Sequence, residues 1–407
     1  MVQSSGALAG LRVLEIPGAM TGYCGKLFAD LGAEVILVEP PEGARTRKRD
    51  TSSAQDAPGC LEFSYLNAGK RSITLDLDSA EGKSALLSLA AGAGLLIEGE
   101  RPGVMAARGL GFRECSMVAP SLVYTSITPF GQTGPYAQYV AEDIVLLAMG
   151  GLLSLAGFAD SAPTRVWGNQ AILAAGQFAA VGSMAAVLHA EAHGEGQFID
   201  VSAQECVVMA LENAAQFVDL EGTVRKRSGG AVRFSGTGIF SCLDGEVFTM
   251  AAGVGEPRFW RNTLAWLRSE GVEGVDEIDG EKWSDYRFLA TAEAKAVFRR
   301  IFAPFARTRT KEYLYHEGQR RGTPIVPVAS PSDLVANKQL ADRQFFVPFN
   351  DPRAKSTSVM SGAPYRLSQT PWASQGPAPA VGEHTASILA TLKPVPAKAA
   401  SRQGGVA

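Results

Sequence analysis

The chain is poor in the residues that build metal and disulfide sites. Cys24, Cys60, Cys115, Cys206, Cys242 and four histidines are scattered over 407 residues. They make no C-x-x-C pair and no Cys/His cluster. Neither a disulfide framework nor a zinc site is therefore expected, no metal ligand is assigned, and the thiols read as reduced in a cytoplasmic protein. An excess of charge of one sign is also missing. Thirty-eight basic against 41 acidic residues leave a net charge of −3, which offers no footprint for nucleic acid or another polyanion. No basic stretch followed by an apolar run opens the chain, so no signal peptide is read there. One apolar segment, Ala171–His193, has the length of a membrane span. Its alanine and glycine content, with Gln177 and His189 inside it, argues instead for a closely packed helix, and no membrane partner is expected.

What the chain does have is a regular alternation. Leu11–Ile16 reads as an apolar strand, Tyr23–Leu31 as a helix with Gly32 at its C-cap, and Val35–Val38 as a second strand. Strand, helix and strand in so short a span make a parallel pair with a right-handed crossover. Ser72–Leu77, the helix Ala80–Ala91, Gly94–Ile97 and Leu122–Ile127 repeat the pattern. The expected fold class is α/β, a doubly wound parallel-sheet large domain joined to a smaller α+β domain. The expected division is 1–205 for the first part of the large, Rossmann-like domain and 206–325 for a linker and the small domain. Residues 326–392 then return to the large domain, with Thr323–Val328 and Leu334–Phe346 as the returning strand and helix, and 393–407 form a disordered tail. A dinucleotide-binding dehydrogenase is the reading from another class, since Glu39 ends the second strand. The loop Pro17–Gly18–Ala19–Met20–Thr21–Gly22 does not make G-x-G-x-x-G, so the phosphate turn is absent.

Several longer motifs follow one another. Asn67–Ala68–Gly69–Lys70–Arg71–Ser72–Ile73–Thr74–Leu75–Asp76–Leu77 is followed by Arg101–Pro102–Gly103–Val104–Met105 and by Phe130–Gly131–Gln132–Thr133–Gly134–Pro135–Tyr136. Val166–Trp167–Gly168–Asn169–Gln170–Ala171–Ile172–Leu173–Ala174–Ala175–Gly176 then runs on to Val187–Leu188–His189 and Gly194–Glu195–Gly196–Gln197. In this order they resemble the class III CoA-transferases, the CaiB/BaiF family. The resemblance implies an interlocked-ring dimer, coenzyme A or an acyl-CoA as substrate, and no permanently bound cofactor. It also implies an aspartate nucleophile that attacks the acyl thioester and carries the acyl group as an anhydride. Counting back from His189 puts Ile172 in that aspartate's place, and an isoleucine cannot be acylated.

The resemblance marks Lys70 and Arg71 as a CoA-side basic pair, with Arg101 and Arg108 as further contacts, although Ala107 takes the place of the family's usual arginine. Cationic groups there suit the diphosphate and 3′-phosphate of CoA. Gly18, Leu37, Gly99 and Glu100 depart from the family's pattern in the same regions. Asp143 is a weak candidate for a substitute nucleophile and reads first as the N-cap of its own helix. Glu142 stands where the racemase branch has a histidine, so a racemase is not expected. Some family members are built from two related subunits. This chain resembles the subunit of such a heteromer that lacks the nucleophile, its homologous partner supplying the aspartate. The implied reaction moves CoA from succinyl-CoA to a dicarboxylic acid, with (R)-benzylsuccinate, in anaerobic toluene degradation, as the candidate. The alternatives are a self-sufficient CoA-ester enzyme of altered mechanism (an isomerase or intramolecular CoA transferase) and a non-catalytic CoA-binding or regulatory protein.

Overall fold

A computed structural model of the chain describes residues 6–48, 61–229, 232–251, 257–349, 358–373 and 376–392. The expected tail, 393–407, lies outside the described residues. Six strands, β1 (Arg12–Glu15), β2 (Glu34–Glu39), β3 (Arg71–Thr74), β4 (Leu95–Glu98), β5 (Val123–Thr128) and β6 (Phe198–Ser202), form one parallel sheet in the order β3-β2-β1-β4-β5-β6. The inner strands are buried on both sides because both faces of the sheet are covered. Val13, Val35, Leu95 and Val123 join one core with the helices Gly22–Asp30 and Gln170–His193. Their neighbours Leu14, Ile36, Leu96 and Tyr124 join the other, beneath the helices Ala80–Ala90 and Phe112–Val118. Gly32, at φ +94°, ends the first helix in the left-handed conformation that its predicted C-cap role requires.

The Gln170–His193 helix is long and apolar enough to cross a membrane. Here its small residues Ala171, Ala175, Gly176, Ala179 and Ser183 are buried, and it packs on Gly22–Asp30 and on β5. A buried hydrogen bond between Ser183 Oγ and Thr125 Oγ1, at 2.7 Å, pins it to the sheet. Close approach of two helices needs small side chains at the crossing, and the alanine and glycine content supplies them.

The chain divides into two units. One comprises Met1–Ser154, Arg165–Arg225 and Gln339–Ala407; the other comprises Leu155–Thr164 and Lys226–Lys338. The breaks fall later than the expected 205 and 325. The second unit has three antiparallel strands, β7 (Thr237–Cys242), β8 (Gly245–Met250) and β9 (Ile325–Pro327), over an aromatic core of Trp260, Trp266, Trp283, Phe298 and Phe302. The strand predicted at 323–328 thus belongs to this unit, since Ile325 pairs with Thr249 of β8 instead of returning to the large sheet. Two short helices, Pro331–Val335 and Lys338–Asp342, replace the single helix expected over 334–346.

In the first unit, the segment leading into the helix Thr385–Leu389 covers the outer edge of β3. His384 N donates to Ser72 O at 2.8 Å, Gly382 N to Ser72 Oγ at 2.8 Å, and Thr74 N to Thr385 Oγ1 at 3.0 Å. An otherwise open sheet edge is closed by these bonds.

Behind the end of β1 lies a buried ion pair. Lys70 Nζ donates to Glu15 Oε2 at 2.6 Å and to Gly22 O at 3.0 Å, with both side chains almost wholly inaccessible. Burial pushes the Lys70 ammonium's pKa down, while Glu15 beside it pulls the other way. The Gly22–Asp30 helix passes so close that a Cβ on Gly25 would lie 1.9 Å from Glu15 Oε2. Only glycine fits there. Gly25→Ala is expected to force the pair apart and cost about 2–4 kcal/mol, as for a buried ion pair misaligned by overpacking. Denaturant unfolding should show this as a lower midpoint at unchanged slope, whereas Gly92→Ala, where the added methyl has ordinary room, should cost far less.

Candidate functional site

The loops leaving the C-terminal ends of β1, β2, β3 and β4 surround a cleft of ≈ 1040 Å³. The chain order reverses between β1 and β4, and ligands of doubly wound sheets bind at such a crevice. Its walls are Ile16–Ala19 after β1, Pro40–Glu42 with Ala44–Thr46 after β2, Leu75–Asp78 after β3, and Gly99–Glu100 after β4, with Arg108 and Glu142. The first loop is held from beneath: Gly18 N donates to Thr21 Oγ1 at 2.9 Å, and that hydroxyl lies 3.1 Å from Glu15 Oε1. Glu15 therefore ties the loop to Lys70.

The dehydrogenase reading loses its last support here. Glu39 accepts from Arg47 Nε and Nη2, both at 2.6 Å, from Ser72 Oγ at 2.5 Å and from Ala44 N at 2.9 Å. Burial alone would raise its pKa, but these bonds hold the carboxyl below its ordinary value. A saturated, fully buried carboxylate is not available to a ribose.

Of the four cations marked from the sequence, the structure brings one to the cleft. Lys70 is enclosed in the Glu15 pair. Arg71, at the edge of the sheet, bonds Glu34, which also takes Arg12 Nε at 2.7 Å. Arg101 is exposed and does not line the cleft. Arg108 does line it, and donates to Asp78 Oδ1 at 2.8 Å and Glu100 Oε1 at 3.4 Å. Among the described residues, five carboxylates (Glu42, Asp76, Asp78, Glu100, Glu142) share the lining with two guanidinium groups, those of Arg45 and Arg108. Gly18 and Gly99, both departures from the family pattern, face each other: a Cβ on Gly18 would sit 3.8 Å from Gly99 Cα. Leu37 is fully buried against Phe63 and Ala378, away from the cleft.

Ile172 is 6% exposed and packs in the core among Ala171, Ala175 and their neighbours. It is the third residue of its helix. Asp143, 3% exposed, does not cap its own helix, Asp143–Met149, whose N-cap is Glu142. Its Oδ1 instead accepts from Ala171 N at 2.8 Å and from Ile172 N at 3.3 Å, so it caps the Gln170–His193 helix from outside. Four free N–H groups and a positive dipole end favour a carboxylate there. Its Oδ2 is buried without a hydrogen-bond partner among the described residues. Neither Ile172 nor Asp143 lines the cleft.

Sequence reasoning missed Glu98. It closes the buried strand β4 and is 4% exposed beside the cleft wall. Burial, with Glu100 adding repulsion, pushes its carboxyl up to about 7. Its Oε2 accepts from Glu100 N at 2.7 Å, and Ser126, its other partner, accepts from Gln132 Nε2 at 2.8 Å. The available signal was an acid ending a strand of apolar residues, Leu95–Leu96–Ile97.

The chain belongs to CoA-transferase family III, whose model matches residues 8–385. It is similar to the succinyl-CoA:(R)-benzylsuccinate CoA-transferase subunit BbsE of Thauera aromatica, at 40% identity over 93% of this chain and 92% of that one. It is also similar to the succinyl-CoA–D-citramalate CoA-transferase of Chloroflexus aurantiacus, at 29% identity over 94% and 93%. A solved CaiB/BaiF family protein from Brucella suis superposes with a TM-score of 0.80 at 28% identity, covering 96% of this chain and all of its own.

Glu98 yields a pH prediction. Its folded pKa, about 7, lies above its ordinary 4.5, so the stabilising contribution is complete below 4.5 and is lost as pH rises through 7. Glu98→Gln should therefore be more stable than wild type at pH 8, by at most about 3 kcal/mol, and level with it at pH 4.5. Thermal melts of both proteins across this range check it; parallel curves would show that Glu98 titrates normally.

Proposed function

We propose that this chain is the subunit of a heteromeric class III CoA-transferase that lacks the nucleophile, and that a homologous partner subunit supplies the aspartate. The observation that carries the reading is Ile172, packed into the core at the family's nucleophile position. The reaction moves CoA from succinyl-CoA to a dicarboxylic acid, and (R)-benzylsuccinate is the first candidate because the relative at 40% identity is named for it. That relative is itself named as a subunit. In this reading the acyl anhydride forms on the partner, while this chain supplies scaffold and part of the assembly.

Surface chemistry supports an obligate partner. The Gln170–His193 helix leaves Phe178, Val181 and Leu188 exposed opposite its packed face, and Met209 and Leu220 are exposed further along the same unit. A monomer rarely presents so much apolar surface, whereas permanent interfaces are built from it. The alternative of a self-sufficient enzyme using Asp143 meets a geometric objection. That carboxylate is buried, caps a helix and does not reach the cleft.

The purified chain given succinyl-CoA and candidate acids should form no new thioester, while co-expression with a homologue encoded beside it should yield a complex that does. Turnover by the chain alone that disappears in Asp143→Asn would overturn the reading in favour of an altered mechanism. In the complex, Asp143→Asn should instead lower stability by no more than about 1 kcal/mol, through the loss of its charge at the positive end of the helix.

Restoring the carboxylate should not restore the chemistry. Ile172→Asp, combined with a partner whose own nucleophile is replaced by alanine, should transfer CoA at least about a hundredfold more slowly than the native complex, since a misplaced thioester alone costs that much. The new carboxylate would also stand beside Asp143 in the core, where like charge and burial raise its pKa. Transfer near the native rate would show that the site is complete except for one residue.

A further inference from the structure

We infer that Asp78 and Glu100 determine the cleft's specificity by acting as an internal anion on Arg108, which closes this chain's cleft to phosphate-bearing ligands. The inference deepens the proposed function, because it gives a physical reason why this subunit would not load CoA itself.

The argument starts from position. Asp78 belongs to the loop after β3, Glu100 to the loop after β4, and Arg108 follows the short helix Val104–Ala107. Arg108 reaches both carboxylates: Nε to Asp78 Oδ1 at 2.8 Å, Nη2 to Asp78 Oδ2 at 3.5 Å, and Nη1 to Glu100 Oε1 at 3.4 Å. The planar guanidinium fork that would grip a phosphate bidentately is thus presented to a carboxylate of the same chain. All three residues line the cleft, so the contact lies where a ligand would enter.

Charge completes the case. With Arg108 occupied, Arg45 is the remaining cleft cation among the described residues, and the lining also holds Glu42 and Asp76. A phosphate entering must displace two carboxylates and then lie among them, and like charges at such range raise the cost of the anionic ligand. Volume is no obstacle, since ≈ 1040 Å³ is ample for a nucleotide-sized group. Selection here is by charge.

The test is CoA binding by calorimetry to the full chain in the assembly it forms, comparing wild type, Asp78→Asn/Glu100→Asn and the same pair with Arg108→Ala. Wild type should bind no CoA attributable to this chain. The Asn pair should add one CoA site per copy of the chain, or strengthen its binding by about tenfold or more, the scale of one charge-assisted phosphate contact. Adding Arg108→Ala should abolish that gain. Thermal melts of each variant confirm that the comparison is between folded proteins, and the single variant Glu100→Gln, which keeps the Asp78 contact, should gain less than the pair. Equal CoA stoichiometry and affinity in wild type and the Asn pair would overturn the inference, as would a gain that survives Arg108→Ala. Failure of the subunit reading looks different: the wild-type assembly would contain this chain alone and be active.

Discussion

The buried pair of Glu15 and Lys70 is the constraint on which the cleft depends. Glu15 ends β1 and Lys70 precedes β3, so the pair ties the end of one strand to the start of another that is not its neighbour in the sheet. Through Thr21 it holds the loop that floors the cleft, and through Gly22 O it meets the start of the following helix. An ion pair this deep is a poor source of net stability, but losing one member strands an uncompensated charge at a cost of about 3–5 kcal/mol. What it supplies is a fixed geometry. The Glu39 cluster does the same for the loop after β2, with Arg47 and Ser72 in place of Lys70.

The contrast with the reactive parts is informative. The scaffold of the cleft is held by saturated, buried polar groups, while Gly18, Gly99 and Glu100 on its lining depart from the family's pattern. A Cβ on Gly18 would lie in ordinary contact with Gly99 Cα, at 3.8 Å, whereas a Cβ on Gly99 would meet Thr21 Cγ2 at 3.1 Å. A longer side chain at 99 would therefore need Thr21, which anchors the first loop through Gly18 N, to give way. A chain kept for its assembly surface would retain the first set of interactions and be free to lose the second.

How much of this was legible in the sequence follows from the range of each interaction. Strands buried on both faces read as continuous apolar runs, and the sheet's alternation with helices gave the fold class directly. The Lys70–Arg71 pair was marked as a unit, yet adjacent residues of an extended segment point to opposite sides, and here one faces the interior and the other the edge. Asp143 carried the signature of a local cap but serves a helix that begins 27 residues later. The strand at 325 was found as a strand and assigned to the wrong sheet, since local pattern does not name its neighbour. Ile172 was legible because the motif around it is intact; Glu98 was not, because its raised pKa comes from burial in the folded chain, with the repulsion of Glu100 added.

The clasp between β3 and the segment around His384 has a consequence for the order of events during synthesis. Ser72 and His384 are 312 residues apart in the chain, and between them lies the whole of the second unit. β3 leaves the ribosome long before the segment that covers it, so the outer edge of the sheet stays bare until His384 has been added. During that interval the edge is open to any extended segment, including that of another nascent copy. The covering segment therefore works as a late seal, and the sheet must be kept solitary while the 312 residues from its edge to that seal are made.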